Sequence, residues 1–234
     1  MQTSFTAAVL AGGLGERLQK HGKKALIAIQ GRPLLERAVS GLRQAGAGTV
    51  WVALNESLKT QALDTVPALS SSGVESFFVD TPSSLHTLWE VIRKLPEGRG
   101  HLMVTTVDTI VRSKDLADFV TYCRRLQWFE SAVMTTAFID DEKPLYAIEG
   151  GSHRILGFSN EPAESNSVIT SGIYCFSLEQ RHLLETCMET GVQRLRNFLT
   201  RAVDNGHAYY SFRVEKTLDV DREEDIRAAQ EFLL

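Results

Sequence analysis

The chain has 234 residues and a formal net charge of −4, with 25 Lys and Arg against 29 Asp and Glu. That length supports one sizeable core, and no Pro/Gly/Ser-rich linker marks a boundary, so a single domain over residues 1–234 is expected. The acid surplus excludes a general nucleic-acid binder, which presents a basic face, and leaves room for a local anion pocket.

The first ten residues, MQTSFTAAVL, lack the basic region of a signal peptide, and no apolar run nears the ~20 residues of a membrane span. Cys123, Cys175 and Cys187 lie far apart without C-x-x-C spacing. These features predict a cytoplasmic protein with free thiols and no membrane partner.

In chain order, FTAAVLA (Phe5–Ala11) is an apolar run ending at Gly12–Gly13 and reads as a buried strand. RPLLERAVSGLRQAG predicts a helix with Pro33 at its first position and Gly46 as its stop. TVWVAL (Thr49–Leu54) and VESFFVD (Val74–Asp80) read as strands. Ser84–Leu95 has helical spacing, with Leu85, Leu88, Val91 and Ile92 inward. His101–Asp108 is a further strand ending in an acid, and Ser113–Leu126 a further helix. Strands are then expected at Ser131–Phe138, Pro144–Glu149 and Arg154–Ser159, with the hairpin turn EGGS joining the last two. Ser167–Ser177 is a strand, Leu178–Thr190 and Val192–Asp204 are helices, Ala208–Val214 is a strand, and Arg222–Leu233 closes the chain as a helix. Alternating strands and helices predict an α/β fold, a three-layer α/β/α sandwich on a mixed, mostly parallel sheet with an antiparallel insert.

LAGGLGER (Leu10–Arg17) follows the first strand with three glycines, an acid and an arginine. A strand, a glycine-rich turn and a helical stretch present backbone N–H groups to phosphate, at the carboxyl end of a sheet strand. Arg17 adds a planar, permanent cation. The turn is not a P-loop, since Arg17 stands where G-x-x-x-x-G needs glycine. It is not a dinucleotide fingerprint either, since Leu18 replaces the last glycine of G-x-G-x-x-G.

GKKALIAIQGRPLLERAV (Gly22–Val39) follows. In order and spacing, LAGGLGERL, KKAL and GRPLLE resemble the signature of the nucleotidyltransferase superfamily that makes nucleotide-diphosphate sugars and related activated alcohols. Two positions depart from it: Lys23 replaces the usual proline, and Glu16 the usual serine or threonine. DTPSSLHTLWEV (Asp80–Val91) resembles the family segment whose small-residue turn holds the base. MVTTVDTIV (Met103–Val111) resembles the strand that delivers a metal-binding aspartate, and TLDVDREEDIRAAQEFL (Thr217–Leu233) the D-V-D ending of the smaller members.

The resemblance implies the nucleotide-diphospho-sugar transferase fold, which is Rossmann-like. It implies transfer of a nucleoside monophosphate from an NTP to a sugar 1-phosphate or phospho-polyol, with Mg²⁺ as cofactor and pyrophosphate released. The acceptor phosphate is already anionic, so the chemistry asks for cations and geometry rather than a strong base. Arg17 is assigned to the β- and γ-phosphates and Lys24 to the α-phosphate, with an exchange of roles between Lys23 and Lys24 left open. The backbone from Leu10 through Ala11, Gly12, Gly13 and Gly15, with Ser83 and Ser84, is assigned to the nucleotide. Asp108 and Asp219 are assigned to the metal. Asp221 precedes the last helix with Glu224 three residues on, and is read as its cap.

Gly172, inside ITSGIYCF, reads either as the point where the acceptor lies against backbone or as a β-bulge. Asn160 stands where many relatives carry a lysine for the acceptor phosphate; Lys143, Arg154 and Arg112 are the alternatives. The expected partners are an NTP and a small phosphorylated acceptor, in a monomer or homodimer. A transferase acting on a molybdopterin-type cofactor shares the glycine loop. A nucleotide sensor would keep Arg17 and the glycines but need neither Asp108 nor Asp219. A related glycosyltransferase would need D-x-D after the middle strand, where Val107–Thr109 lacks it.

Overall fold

The structure is a computed structural model that describes residues 4–13, 18, 22–139, 143–162 and 168–234. Its first half runs β1 (Phe5–Ala11), β2 (Ala28–Ile29), β3 (Arg32–Pro33), α1 (Leu34–Gln44), β4 (Ala47–Leu54), α2 (Lys59–Thr65), β5 (Val74–Phe78), α3 (Ser84–Lys94), β6 (His101–Thr106), β7 (Thr109–Ile110) and α4 (Ser113–Cys123). Its second half runs β8 (Glu130–Thr136), β9 (Tyr146–Glu149), β10 (Arg154–Ser159), β11 (Val168–Ser177), α5 (Arg181–Glu189), α6 (Leu195–Asp204), β12 (Ala208–Val214), β13 (Leu218–Asp219) and α7 (Glu223–Phe232).

Among the described residues the strands form a nine-stranded sheet in the order β5-β4-β1-β6-β11-β8-β12-β10-β9. The pairings β5–β4, β4–β1 and β1–β6 are parallel, as is β8–β12. β11 runs antiparallel to both β6 and β8, and β9 and β10 form the expected antiparallel hairpin.

β1 explains why the sheet has two covered faces. Its apolar run has no polar side, so both faces must be buried. With the strand period of two, Ala7, Val9 and Ala11 enter one core and Ala8 and Leu10 the other. The first core is closed by α1, α4 and α7, the second by α3, α5 and α6. The three-layer sandwich follows directly. β11 repeats the device, sending Ile173 and Cys175 one way and Tyr174 and Phe176 the other.

In the parallel half the carboxyl ends of β1, β4, β5 and β6 meet at one edge. Val79 N donates to Leu54 O at 2.7 Å and Val107 N to Leu10 O at 3.2 Å, so the chain stays paired just past the strand ends. The loops that leave this edge build the site.

Several elements differ from the expectation. The strand expected through Asp108 stops at Thr106, and Asp108 sits in the turn before β7. The two-residue ladders β7–β13 and β2–β3 are too short to show a periodicity. α2 buries Ala62 alone and so has no apolar stripe to read. No helix among the described residues is long and apolar enough to cross a membrane.

The far edge of the sheet is clamped by a carboxylate. The Glu149 side chain is only 2% exposed and accepts from Arg213 Nε at 3.1 and 3.2 Å. Burial alone would raise this carboxyl, but the hydrogen bonds from Arg213 and Ser211, the Arg213 charge and the His153 contact together hold the group below its ordinary value. A carboxyl held low in the fold stabilises above its unfolded value, and that contribution is lost as pH falls through the folded value. Arg213→Gln is therefore expected to lower the urea midpoint at pH 7. The gap to the parent should begin to narrow as pH falls below about 4, the ordinary Glu range, and close only as pH passes the lower folded value; midpoints measured across that range check this.

Candidate active site

A cleft of about 890 Å³ opens at the carboxyl edge of the parallel strands. Gly12 and Gly13 reach it from β1, Asn55 and Ser57 from β4, Asp80 to Ser84 from β5, and Val107 and Asp108 from β6. This is where an open α/β sheet places its ligand.

The two described glycines of the opening loop serve different ends. A Cβ on Gly12 would stand 2.7 Å from Thr87 Oγ1 and 3.0 Å from Thr81 Oγ1. Those hydroxyls lie 2.6 Å apart, and Thr87 Oγ1 also donates to Ser83 O at 3.1 Å. Gly12 thus lets the first turn of α3 close against the loop. Gly13 has open space where its side chain would be. Leu10, Gly12, Gly13, Ser83 and Ser84 line the cleft, whereas the Ala11 side chain belongs to the α1 core. Gly15 and Arg17 lie outside the described residues.

Lys24 heads a one-turn 3₁₀ segment, Lys24–Leu26, anchored by fully buried Ala25. Its ammonium contacts Asp108 Oδ2 and Asp221 Oδ1 together. Burial would lower the Lys24 value, but the charges of Asp108 and Asp221 outweigh it and raise it. Burial would likewise raise the Asp108 carboxyl, and Lys24 brings it below its ordinary value. Lys23 points elsewhere, its Nζ donating to Ser57 Oγ at 3.3 Å on the cleft wall.

Asp219 is brought beside Asp108 by the β7–β13 ladder. That ladder pairs Asp219 with Thr109, and Val220 N donates to Asp108 O at 3.1 Å. Thr109 Oγ1 donates to Asp219 Oδ1 at 2.8 Å and lies 2.9 Å from Thr106 Oγ1. Asp219 keeps an exposed face, yet protein packs closely enough around it to matter. Burial and then the Asp108 charge push its carboxyl up to about 7, against the Thr109 hydrogen bond.

Asp221 corrects one expectation: it does not cap the last helix. Asp225 does, one residue out of the expected register, with Oδ2 accepting from Arg222 N at 2.7 Å and Asp221 N at 2.9 Å. Because the buried Asp225 meets those donors, the Asp221 side chain is left to Lys24. The sequence signal was present, since D-V-D puts both acids two apart in an extended segment and so on one side.

For Gly172 the structure shows the bulge. Its φ is +69°, and the β11–β8 register shifts between Thr170 and Tyr174. It is buried, and the Thr106 and Thr109 hydroxyls occupy the space a Cβ would take. The residue therefore backs the Thr109–Asp219 contact.

The alternatives for the acceptor phosphate separate clearly. Arg112 pairs with Glu215 at 2.8 Å and Arg154 sits exposed on β10. Lys143 and Asn160 line a second hollow together with Arg194 and Arg196.

A family model described as a MobA-like NTP transferase domain matches residues 7–156. Bifunctional protein GlmU of Acetivibrio thermocellus is 26% identical over 190 residues, covering 78% of this chain and 40% of that protein. The chain thus spans less than half the length of that curated relative. The inositol-1-phosphate CTP transferase of T. maritima superposes with a TM-score of 0.80 at 17% identity, over 99% of this chain and 97% of that one. CTP:phosphocholine cytidylyltransferase of Streptococcus pneumoniae gives 0.72 at 18%, over 99% and 100%. A UTP-bound UGPase of Acinetobacter baumannii gives 0.76 at 16%, over 99% and 93%. At these identities the superpositions establish a shared fold.

Gly172→Ala is expected to lower stability by about 1–3 kcal/mol, the scale of a left-handed backbone forced on a side chain. It should also displace Thr109 from Asp219. Urea unfolding checks the first effect, and a crystal structure of the variant the second.

Proposed function

Because the chain belongs to the family of MobA-like NTP transferase domains, we propose that it transfers a nucleoside monophosphate from an NTP to a sugar 1-phosphate or phospho-polyol. In this reaction an oxygen of the acceptor phosphate attacks the α-phosphorus. A new P–O bond forms, the bond to the β-phosphate oxygen breaks, and pyrophosphate leaves with the electron pair. The observation that carries the reading is Lys24, held between Asp108 and Asp221 on the wall of the 890 Å³ cleft at the carboxyl ends of the parallel strands.

Each residue has a role in bringing two polyanions together. Backbone amides of Gly12 and Gly13 on the cleft wall serve the phosphates, joined by Gly15, and Arg17 takes the β- and γ-phosphates. Lys24 stabilises the charge that develops at the α-phosphate. The loop from Asp80 to Ser84 receives the base. Arg17 and Gly15 keep their roles from the signature alone.

A divalent cation fits this constellation. Among the described residues Asp108 and Asp219 lie side by side, and the Asp108 charge adds to burial in raising the Asp219 carboxyl, as expected where a cation would relieve two adjacent carboxylates. Asp108 and Asp219 would hold Mg²⁺, which when bound neutralises phosphate oxygens and the leaving pyrophosphate. One sheet threads both halves of the chain, which supports a single transferase domain. The family model also favours a second reading, in which the acceptor is a molybdopterin-type cofactor.

The test is pyrophosphate release with Mg²⁺ across the four common NTPs, crossed with sugar phosphates, polyol phosphates and the molybdopterin-type acceptor. One NTP and one acceptor should stand out. Asp108→Asn and Lys24→Met should each lower kcat on the order of 10²–10³-fold with circular dichroism unchanged, and chelation should abolish release. Silence across the panel, with no nucleotide binding by calorimetry, would sink the reading.

A further inference from the structure

A separate opening lies in the helical layer on one face of the sheet, away from the strand ends that carry the cleft. It encloses about 100 Å³ between α1, α4 and the residue after α7, with β7 and β11 contributing its floor. It shares no lining residue with the cleft. Ile110, Leu116 and Ile173, all buried, give it an apolar wall, and buried Thr109 adds a polar floor. One water takes up about 10–15 Å³ of such space, so a molecule of about seven to ten non-hydrogen atoms has room there.

A glycine that the backbone does not require keeps the opening clear. Gly41 sits inside α1, and its φ lies outside the left-handed region. A Cβ there would stand 3.4 Å from Leu116 Cδ2, an ordinary contact. Alanine would therefore fit, and it would suit the helix better because glycine loses more backbone freedom on ordering. What the glycine gains is space between α1 and α4.

Arg37 puts a cation on the same wall, one helical turn before Gly41. Its Nε donates to Ile29 O at 3.2 Å, and its Nη2 donates to the same carbonyl. That acceptor is neutral, so it fixes the guanidinium without cancelling its charge. Among the described residues no carboxylate pairs with Arg37. The neighbouring acid, Glu36, is taken by Arg32, Ser40 Oγ and Ala68 N. Asp115, in the first turn of α4, does not line the opening. Burial, and then the Arg32 charge, press the Arg37 guanidinium below its ordinary value, an effect that an anion would reverse.

We propose that this opening is a binding site for a small carboxylate with an apolar body. The carboxylate meets the Nη1 side of Arg37, and the body lies over Gly41 against Leu116 and Ile173. A wholly apolar molecule would leave Arg37 without an anion, and a bare phosphate would leave the apolar wall unfilled. The Thr109 hydroxyl on the floor holds Asp219 at 2.8 Å, so an occupant packs directly behind that contact. The site stands independently of the transferase reading.

Benzoate is the probe, and benzamide its neutral counterpart of the same shape. The full chain is titrated with each while NMR follows the methyl resonances of Ile110, Leu116 and Ile173 and the Arg37 Nε–Hε resonance, assigned with R37Q. Benzoate should shift all of these saturably. Benzamide should bind about tenfold more weakly, the scale of one charge-assisted contact. R37Q should bring benzoate down to the level of benzamide. G41A, which fills the space while favouring the helix, should raise the urea midpoint and weaken benzoate by a similar factor. That second variant keeps the test valid if R37Q disturbs the segment at Ile29. Shifts that are absent or fail to saturate overturn the proposal. Equal affinity for the two ligands overturns it, and so does full benzoate affinity in G41A. None of these outcomes touches the transferase reading, which pyrophosphate release decides separately.

Discussion

One ammonium joins the two ends of this chain. Lys24 meets Asp108, 84 residues on, and Asp221, 197 residues on. A buried lysine would shed its charge more readily if left alone, and the Asp108 and Asp221 carboxylates would repel each other. Together they are mutually supporting, since Lys24 is raised while Asp108 is lowered. The loop after β1, the turn after β6 and the segment before α7 are held to one point by that contact. Remove it, and three loops from distant parts of the chain lose their common anchor.

The surroundings show why glycine recurs at the site. Gly12 yields its side-chain volume to the Thr81–Thr87 hydroxyl pair, and Gly172 yields its own to Thr106 and Thr109. In each case a backbone is drawn against hydroxyls that fix a functional loop. The first positions the turn at Ser83 and Ser84. The second stands behind Asp219. Space left empty by one residue is thus used by its neighbour's polar group, which suits a site that must hold charge with little movement.

Much of the fold was legible because its main strands are buried on both faces. FTAAVLA has no polar residue on its inner positions, and its limits match the observed β1; Arg154–Ser159 and Ala208–Val214 match as well. Amphipathic α1 and α3 were equally clear. The two-residue ladders were not, because two residues carry no period. That omission hid the neighbourhood of Asp219, whose closeness to Asp108 depends on β7 and β13. The reading of Asp221 failed for a local reason. Acids at 221, 224 and 225 offer two overlapping capping registers, and only the burial of Asp225 decides between them. The hollow at Arg194 and Arg196 escaped because three segments far apart in sequence supply its walls.

The same long-range closure orders events in time. The strands of the parallel half, β5-β4-β1-β6, are all made once the chain reaches Thr106, and this part carries Gly12, Lys24 and the Asp80–Ser84 loop. Asp219 and Asp221 arrive more than a hundred residues later, with the last strand and helix. Both cores are closed by helices that follow Thr106, so the cleft walls and the Asp219–Asp221 segment settle together, late in synthesis. The proposed site is therefore among the last features that the polypeptide completes as it is synthesised.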